Sequence, residues 1–241
     1  MKFSIHLSTR IHDKQHELPL LNYMTDLAIE ADASGFGAIS LTEHHLNENQ
    51  GYQNSLLFAC SLASRIKQAT IVLATVNPAI HHPLRLVESC NLIDQLMQGR
   101  LVVGFGSGFK ETDLVAFGRD LAIRNQLFED GINTVLDLWA YDGKGGPLNF
   151  QVGTDKGCID RPLNPGPYRK PHPIFARATL NEPSVLETAK RGWAVLTAGR
   201  TPEDASRVMK KYHAALDAAG HDAETVRLAR EWSTVGKAVH I

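Results

Sequence analysis

Apolar positions along this chain follow two alternating rhythms. Short runs dense in aliphatic residues, 3–7 (FSIHL), 38–42 (AISLT), 70–76 (TIVLATV) and 101–106 (LVVGFG), read as strands. Each is followed by a longer stretch whose apolar residues recur every three to four positions, as on a helix. The first, 19–35, puts Leu20, Leu21, Met24, Leu27, Ala28 and Ala31 on one face and stops at Gly35. Stretches 52–66, 83–99 and 124–140 repeat the pattern, the second opening on Pro83 and stopping at Gly99. A Gly/Pro-rich excursion then fills 141–172, either a functional or mobile loop or a hairpin of 148–152 and 158–163. Strand-like 173–178 and 193–198 frame a helix near 183–191. A helix over 201–219 follows, and "GKAVHI" at the end reads as a last strand.

Alternating strands and helices imply parallel strands, because a parallel pair needs a long crossover. The run 70–76 is apolar on both faces, as a buried parallel strand should be. The count is about seven strand–helix units, more than a doubly wound sheet usually has and one short of a (β/α)8 barrel. The expected fold is therefore one α/β domain over 1–241, of the (β/α)8 TIM-barrel type but incomplete, with an insertion loop at 141–172. An open sheet exposes edges that proteins normally cover. A partner subunit at the gap, a different closure and a truncated chain all remain open as explanations.

Composition narrows the function classes. The 241 residues carry a formal charge of −1 and are 43% apolar, an ordinary globular balance that gives no electrostatic reason to expect nucleic acid. No run reaches the ~18 apolar residues of a membrane span, and "MKFSIHLSTR" lacks a secretory pattern, so a cytoplasmic protein is expected. Cys60, Cys90 and Cys158 are far apart and odd in number, which points to no disulfide framework and no zinc site.

Parallel β/α proteins place their chemistry at the C-terminal ends of the strands. Residues falling there are His6; Glu43, His44 and His45; Thr75, Val76 and Asn77; Gly106, Ser107 and Gly108; Arg177 and Thr179. His44 is the acid/base candidate, since imidazole titrates near neutrality; the alternative is a structural histidine at a strand end. His45 should point away from His44, and Glu43 suits a structural acceptor. A second pair, His81 and His82, invites a metal reading, but adjacent histidines rarely share one metal with good geometry, and none is expected. "GRLVVGFGSGF" runs a strand into Gly-x-Gly-x-Gly, where free N–H groups can approach a ligand or simply form a tight turn; it matches neither the Walker nor the Rossmann spacing. Arg124 opens a helix and is either a phosphate ligand or a surface residue.

Together, "ASGFGAISLTEHH" and "HPLRLVESCNLIDQLMQGRLVVGFGSGFKETDLVAFGRD" resemble the bacterial luciferase-like, flavin-dependent monooxygenases. The likeness rests on Glu-His-His after the second strand, His-Pro-x-Arg opening the third helix, the Asn-Leu-Ile-Asp-Gln run, Gly-x-Gly-x-Gly and the later Phe-Gly-x-Asp. The resemblance implies a (β/α)8 barrel taking reduced FMN from a separate flavin reductase. Oxygen would add to give a peroxyflavin that oxidises a small organic substrate. It makes His44 the catalytic histidine and puts Ala74 and Thr75 beneath the flavin ring, at a peptide that can be cis. Glu43, His45, Gly106, Ser107 and Gly108 would line the cofactor, with Arg124 and Ser184 at its phosphate. A homo- or heterodimer is expected. Two departures stand out: Gly106 and Ser107 replace a reactive cysteine and an arginine of the light-emitting members, and relatives run about a hundred residues further. A non-catalytic flavin-binding subunit and a deazaflavin-dependent oxidoreductase are the alternatives.

Overall fold

A computed structural model describes residues 2–8, 17–46, 51–108, 110–199 and 201–237. Seven parallel strands form one curled sheet, a half-barrel. In chain order its strands are β1 (Ser4–Leu7), β2 (Ala38–Leu41), β3 (Thr70–Val76), β4 (Leu101–Phe105), β7 (Ile174–Ala178), β8 (Ala194–Ala198) and β9 (Thr234–Gly236), and neighbours in sequence are neighbours in the sheet. Between β4 and β7 lies an antiparallel hairpin of β5 (Leu148–Val152) and β6 (Asp155–Ile159). The barrel-type fold with about seven units is thus observed. The last strand ends on Gly236, the first residue of "GKAVHI", whose residues 238–241 lie outside the described ones.

The crossovers explain the two-sided burial of the strands. Helices α1 (Glu17–Ala33), α2 (Ser55–Ala63), α3 (Pro83–Leu96) and α5 (Arg124–Ala140) cover one face. There Ile39, Leu41, Ile71, Leu73, Val103 and Phe105 pack with Met24, Leu62, Leu86 and Ile132 in the main core. Parallel connections of one hand put all these helices on the convex side. Caps set their ends: Asn54 Oδ1 accepts from Leu57 N (3.0 Å), and Pro83 opens α3. Asp32, at the end of α1, receives the N–H groups of Lys67, Gln68 and Ala69 at 2.8, 2.9 and 2.6 Å, fixing the entry to β3.

The concave face holds a smaller apolar cluster of Ala38, Val72, Val102, Ile174, Ala176, Ala194 and Leu196. Its cover is a helix that the sequence reading did not separate, α8 (Ala223–Trp232), which follows α6 (Glu182–Lys190) and α7 (Pro202–Ala218). Leu228 and Trp232 pack on the concave cluster, while Val226 and Ala229 join the α6–α7 core. Lys2, just before β1, ion-pairs with Glu231 and lies 4.8 Å from the centre of the Trp232 ring. Helix α8 therefore covers the N-terminal end of the half-barrel and, among the described residues, leaves the opposite end open.

The 141–172 excursion is a hairpin on the outer layer rather than a loop over the strand ends. Its second strand is Asp155–Ile159, not 158–163, because Gly153 (φ 57°) makes a two-residue turn that pairs Val152 with Asp155. Asn91 Nδ2 and Gln95 Nε2 of α3 hold its return path through the carbonyls of Pro165 and Gly166 (2.9 and 2.8 Å). The tip is held by Arg119, which follows α4 (Glu111–Ala116). Arg119 is buried, donating Nε to Ala79 O (2.8 Å) and Nη1 to Thr154 Oγ1 (2.7 Å), and pairing with Asp155. Arg119→Met strips these contacts from a buried site, and a loss of about 2–3 kcal/mol is expected. Hydrogen exchange should then quicken in the hairpin amides but not in β2–β4; uniform quickening would refute the latch.

Candidate active site

The open end is assembled from the strand termini that sequence reasoning singled out. β2 hands on to Thr42, Glu43, His44 and His45, and the first two are buried. Tyr52 fastens this corner: its hydroxyl donates to Leu7 O (2.6 Å) and accepts from Thr42 N (2.9 Å), tying the ends of β1 and β2.

Glu43 is the centre of a buried polar group. Its Oε2 accepts from Asn77 N at 2.9 Å, and its Oε1 lies 2.6 Å from His81 Nε2. His45 Nε2 is 3.2 Å from the same oxygen but outside hydrogen-bond geometry, so that contact is electrostatic. Burial alone would raise the pKa of this carboxyl. The contacts with His45 and His81 and the Asn77 N–H outweigh it and bring the pKa down to about 2. Glu43 therefore stays ionised and pins the β2 and β3 termini together. His81, considered in the sequence only for a metal, is its principal partner. Among the described residues no group of three or more metal-ligating side chains forms a metal site.

His44 is half-buried beside this node. Burial, then the charge of Lys110, push its pKa below the ordinary histidine value, against the pull of Asp113 and Glu43. The ring is therefore neutral at pH 7 and able to accept a proton. His6, across from Ser40 in the β1–β2 register, places Nδ1 3.0 Å from Ser40 Oγ. Although the residue is partly exposed, the packed strand ends around its ring and then His44 lower its pKa as well.

Inside the curl of the sheet one layer of the register carries only small residues. In the strand register Ala74, Gly104, Ala176 and Ala194 form one layer, above Val72, Val102 and Ile174. No side chain in the upper layer exceeds a methyl group, but Leu196 Cδ1 fills the space over Gly104, 2.7 Å from where a Cβ would stand, and of the four only Ala74 is partly exposed. The Ala74–Thr75 peptide is cis, at the place the resemblance indicates, and the β3–β4 pairing shifts register there. A Cβ on Gly106 would sit 2.5 Å from Thr75 Oγ1, and one on Gly108 (φ 66°) would sit 2.7 Å from Asn77 Nδ2. These glycines are needed because the end of β3 presses on the turn after β4, a contact the Gly-x-Gly-x-Gly pattern did not distinguish from approach to a ligand. Ala74, Thr75 and Ser107 keep partial exposure toward the open end.

The two phosphate candidates stand apart from the Glu43 group. Arg124 is the first residue of α5 and Ser184 lies in the first turn of α6; both helices begin at the strand C-terminal side. Ser184 N donates to the Asn181 cap at 2.9 Å, so its amide is already used. Arg177 does not face the opening. Its guanidinium stacks 4.9 Å from the Phe128 ring and lies 3.3 Å from Glu129, which Arg191 also meets at 2.7 Å.

A half-barrel with this terminus after β2 agrees with the comparisons. The model of the family described as luciferase-like monooxygenase matches residues 1–234. The chain belongs to that family. It is 28% identical over 232 residues to the alkanal monooxygenase beta chain of Vibrio harveyi, covering 94% of this chain and 69% of that protein. The crystal structure of the monooxygenase RslO1 from Streptomyces bottropensis superimposes with a TM-score of 0.81 at 26% identity, over 92% of this chain and 68% of that one. Two structures share the fold at 16% identity. The oxygenating constituent of 3,6-diketocamphane monooxygenase from Pseudomonas putida, in complex with FMN, matches at TM-score 0.79 (93% and 65% covered). An F420-dependent secondary alcohol dehydrogenase matches at 0.71 (93% and 67%). Several curated relatives are matched over about half their length, 47–49% for two of them.

Proposed function

We propose that this chain is the flavin-binding barrel of a monooxygenase that uses reduced FMN and O2 to oxidise a small organic substrate. The observation that carries the reading is the partly exposed set of small residues Ala74, Thr75 and Ser107 at the C-terminal ends of β3 and β4, with a neutral His44 at its β2 side. The small side chains of Ala74, Thr75 and Ser107 suit the face of a flat aromatic ring. The donor set suits FMN too, because Arg124 at the start of α5 offers a cation and helix N–H groups to a phosphate.

Reduced FMN, when bound, supplies the two electrons with which one atom of O2 enters the substrate and the other leaves as water. The chain's own work is to hold the ring, keep water from it and manage protons. His44 accepts and returns a proton beside the reacting atoms, and the Glu43 node keeps its backbone in place. Ala74, Thr75, Gly106, Ser107 and Gly108 would hold the ring, and Arg124 with the α6 turn at Ser184 would hold the phosphate. A separate reductase supplies reduced FMN, and a two-fold homo- or heterodimer is the expected assembly.

Rapid mixing tests the proposal. The protein is loaded anaerobically with reduced FMN and mixed with oxygenated buffer, and absorbance is followed. Reoxidation well slower than that of free reduced FMN is expected. Reoxidation at the free rate despite measured binding would favour a non-catalytic flavin-binding subunit. Tighter binding of a deazaflavin than of FMN would overturn the cofactor.

A further inference from the structure

Helix α4 carries a carboxylate oxygen to which no described residue donates. Asp113 Oδ1 is buried and makes no hydrogen bond among the described residues. Native proteins rarely bury an acceptor that nothing will satisfy. Asp113 and Phe117 are four residues apart, so they share one face of this helix and its cap, and Phe117 N donates to Asp113 O at 3.3 Å. Phe117 sets its ring edge-on to His45, with centroids 4.7 Å apart. That face of α4 is therefore turned toward residues 43–45, and Asp113 lies one helical turn from the contact.

The groups facing His44 come from three elements. Its own segment contributes Glu43 and His45, β1 contributes His6, and the α4 segment contributes Lys110 and Asp113. Lys110 and Asp113 act on the ring in opposite senses. We propose that Asp113 is the positioning residue for His44: it is the carboxylate to which the imidazole donates whenever the ring takes up a second proton, and Lys110 is the opposing charge that returns it to the neutral form. The orphaned oxygen is then unsatisfied only while His44 is neutral. This pairing rests on the reading of His44 as the proton-handling group, and it makes α4 part of that machinery.

The test is an NMR titration of His44 in the flavin-free chain, compared with Asp113→Asn, Lys110→Gln and, as a control, Glu111→Gln. Asp113→Asn is expected to lower the proton affinity of His44 by about threefold or more, and Lys110→Gln to raise it by a similar factor. The exposed Glu111 should leave it in place. The titration of the distant His213, on α7, reports that each variant is folded. An unmoved His44 in folded Asp113→Asn would overturn the proposal. If that variant does not fold, a Lys110→Gln chain whose His44 holds its proton no more tightly would do so. No flavin is needed, so a chain that fails to bind FMN would overturn the proposed function and leave this pairing standing.

Discussion

Replacing His44 with alanine is expected to shorten the protected lifetime of bound reduced FMN in oxygenated buffer by about 10²-fold or more, toward that of the free cofactor. FMN affinity should change by less than about threefold, because the proposed site rests the ring on Ala74, Thr75 and Ser107 and the phosphate at the helix termini, not on the imidazole. The argument lies in the electrostatics. Burial and Lys110 keep His44 neutral at pH 7, so it is poised to accept a proton. Alanine removes that acceptor without touching Glu43, whose partners are His81 and Asn77. Stopped-flow reoxidation together with a binding titration separates the two effects. A His44→Ala protein with full protection would remove His44 from the proton-handling role.

Glu43→Gln is expected to cost about 3 kcal/mol of stability at pH 7 and to alter its acid limb. The carboxyl pKa falls from the ordinary 4.5 to about 2 in the folded chain. A depressed pKa means that the unfolded chain binds the proton more readily. The stabilisation is thus complete above about pH 4.5 and is lost as pH falls toward about 2. Glutamine cannot ionise, so the variant should be less stable at neutral pH and show a flatter stability curve through that window. Urea unfolding at several pH values measures both. A variant as stable as the parent at pH 7 would mean that the node does not hold the β2 and β3 termini together.

Much of the architecture could be read from one-dimensional patterns, and what could not has identifiable causes. Helix 124–140 and strand 70–76 match Arg124–Ala140 and Thr70–Val76 residue for residue, because a long apolar period and a two-sided apolar run leave little ambiguity. Helix α8 was not separated from its surroundings, although Asp222, which accepts from Thr225 N at 2.8 Å, is a legible cap. What lay beyond reach was its packing: nothing in a local pattern says that Leu228 and Trp232 belong to the concave side. The six-residue α4 is too short for periodicity to mark it. His44 could be picked out by its place after a strand. The partnership of Glu43 with His81 could not, since 38 residues separate them and only the β2–β3 register brings them together. Arg119 gave no signal, because one arginine beside a turn looks like any surface residue until the hairpin folds onto it.

The shared carboxylate has a consequence for anyone redesigning this pocket. Positions 43, 45 and 81 form a single combinatorial unit: a library that varies one of them alone mostly samples stranded imidazoles or a stranded charge. Substituting both sides of a buried polar pair by apolar groups of similar shape can be nearly neutral, whereas substituting one side bears the full desolvation cost. Productive diversity therefore lies along correlated exchanges at 45 and 81 that keep an acceptor at position 43 for the Asn77 N–H.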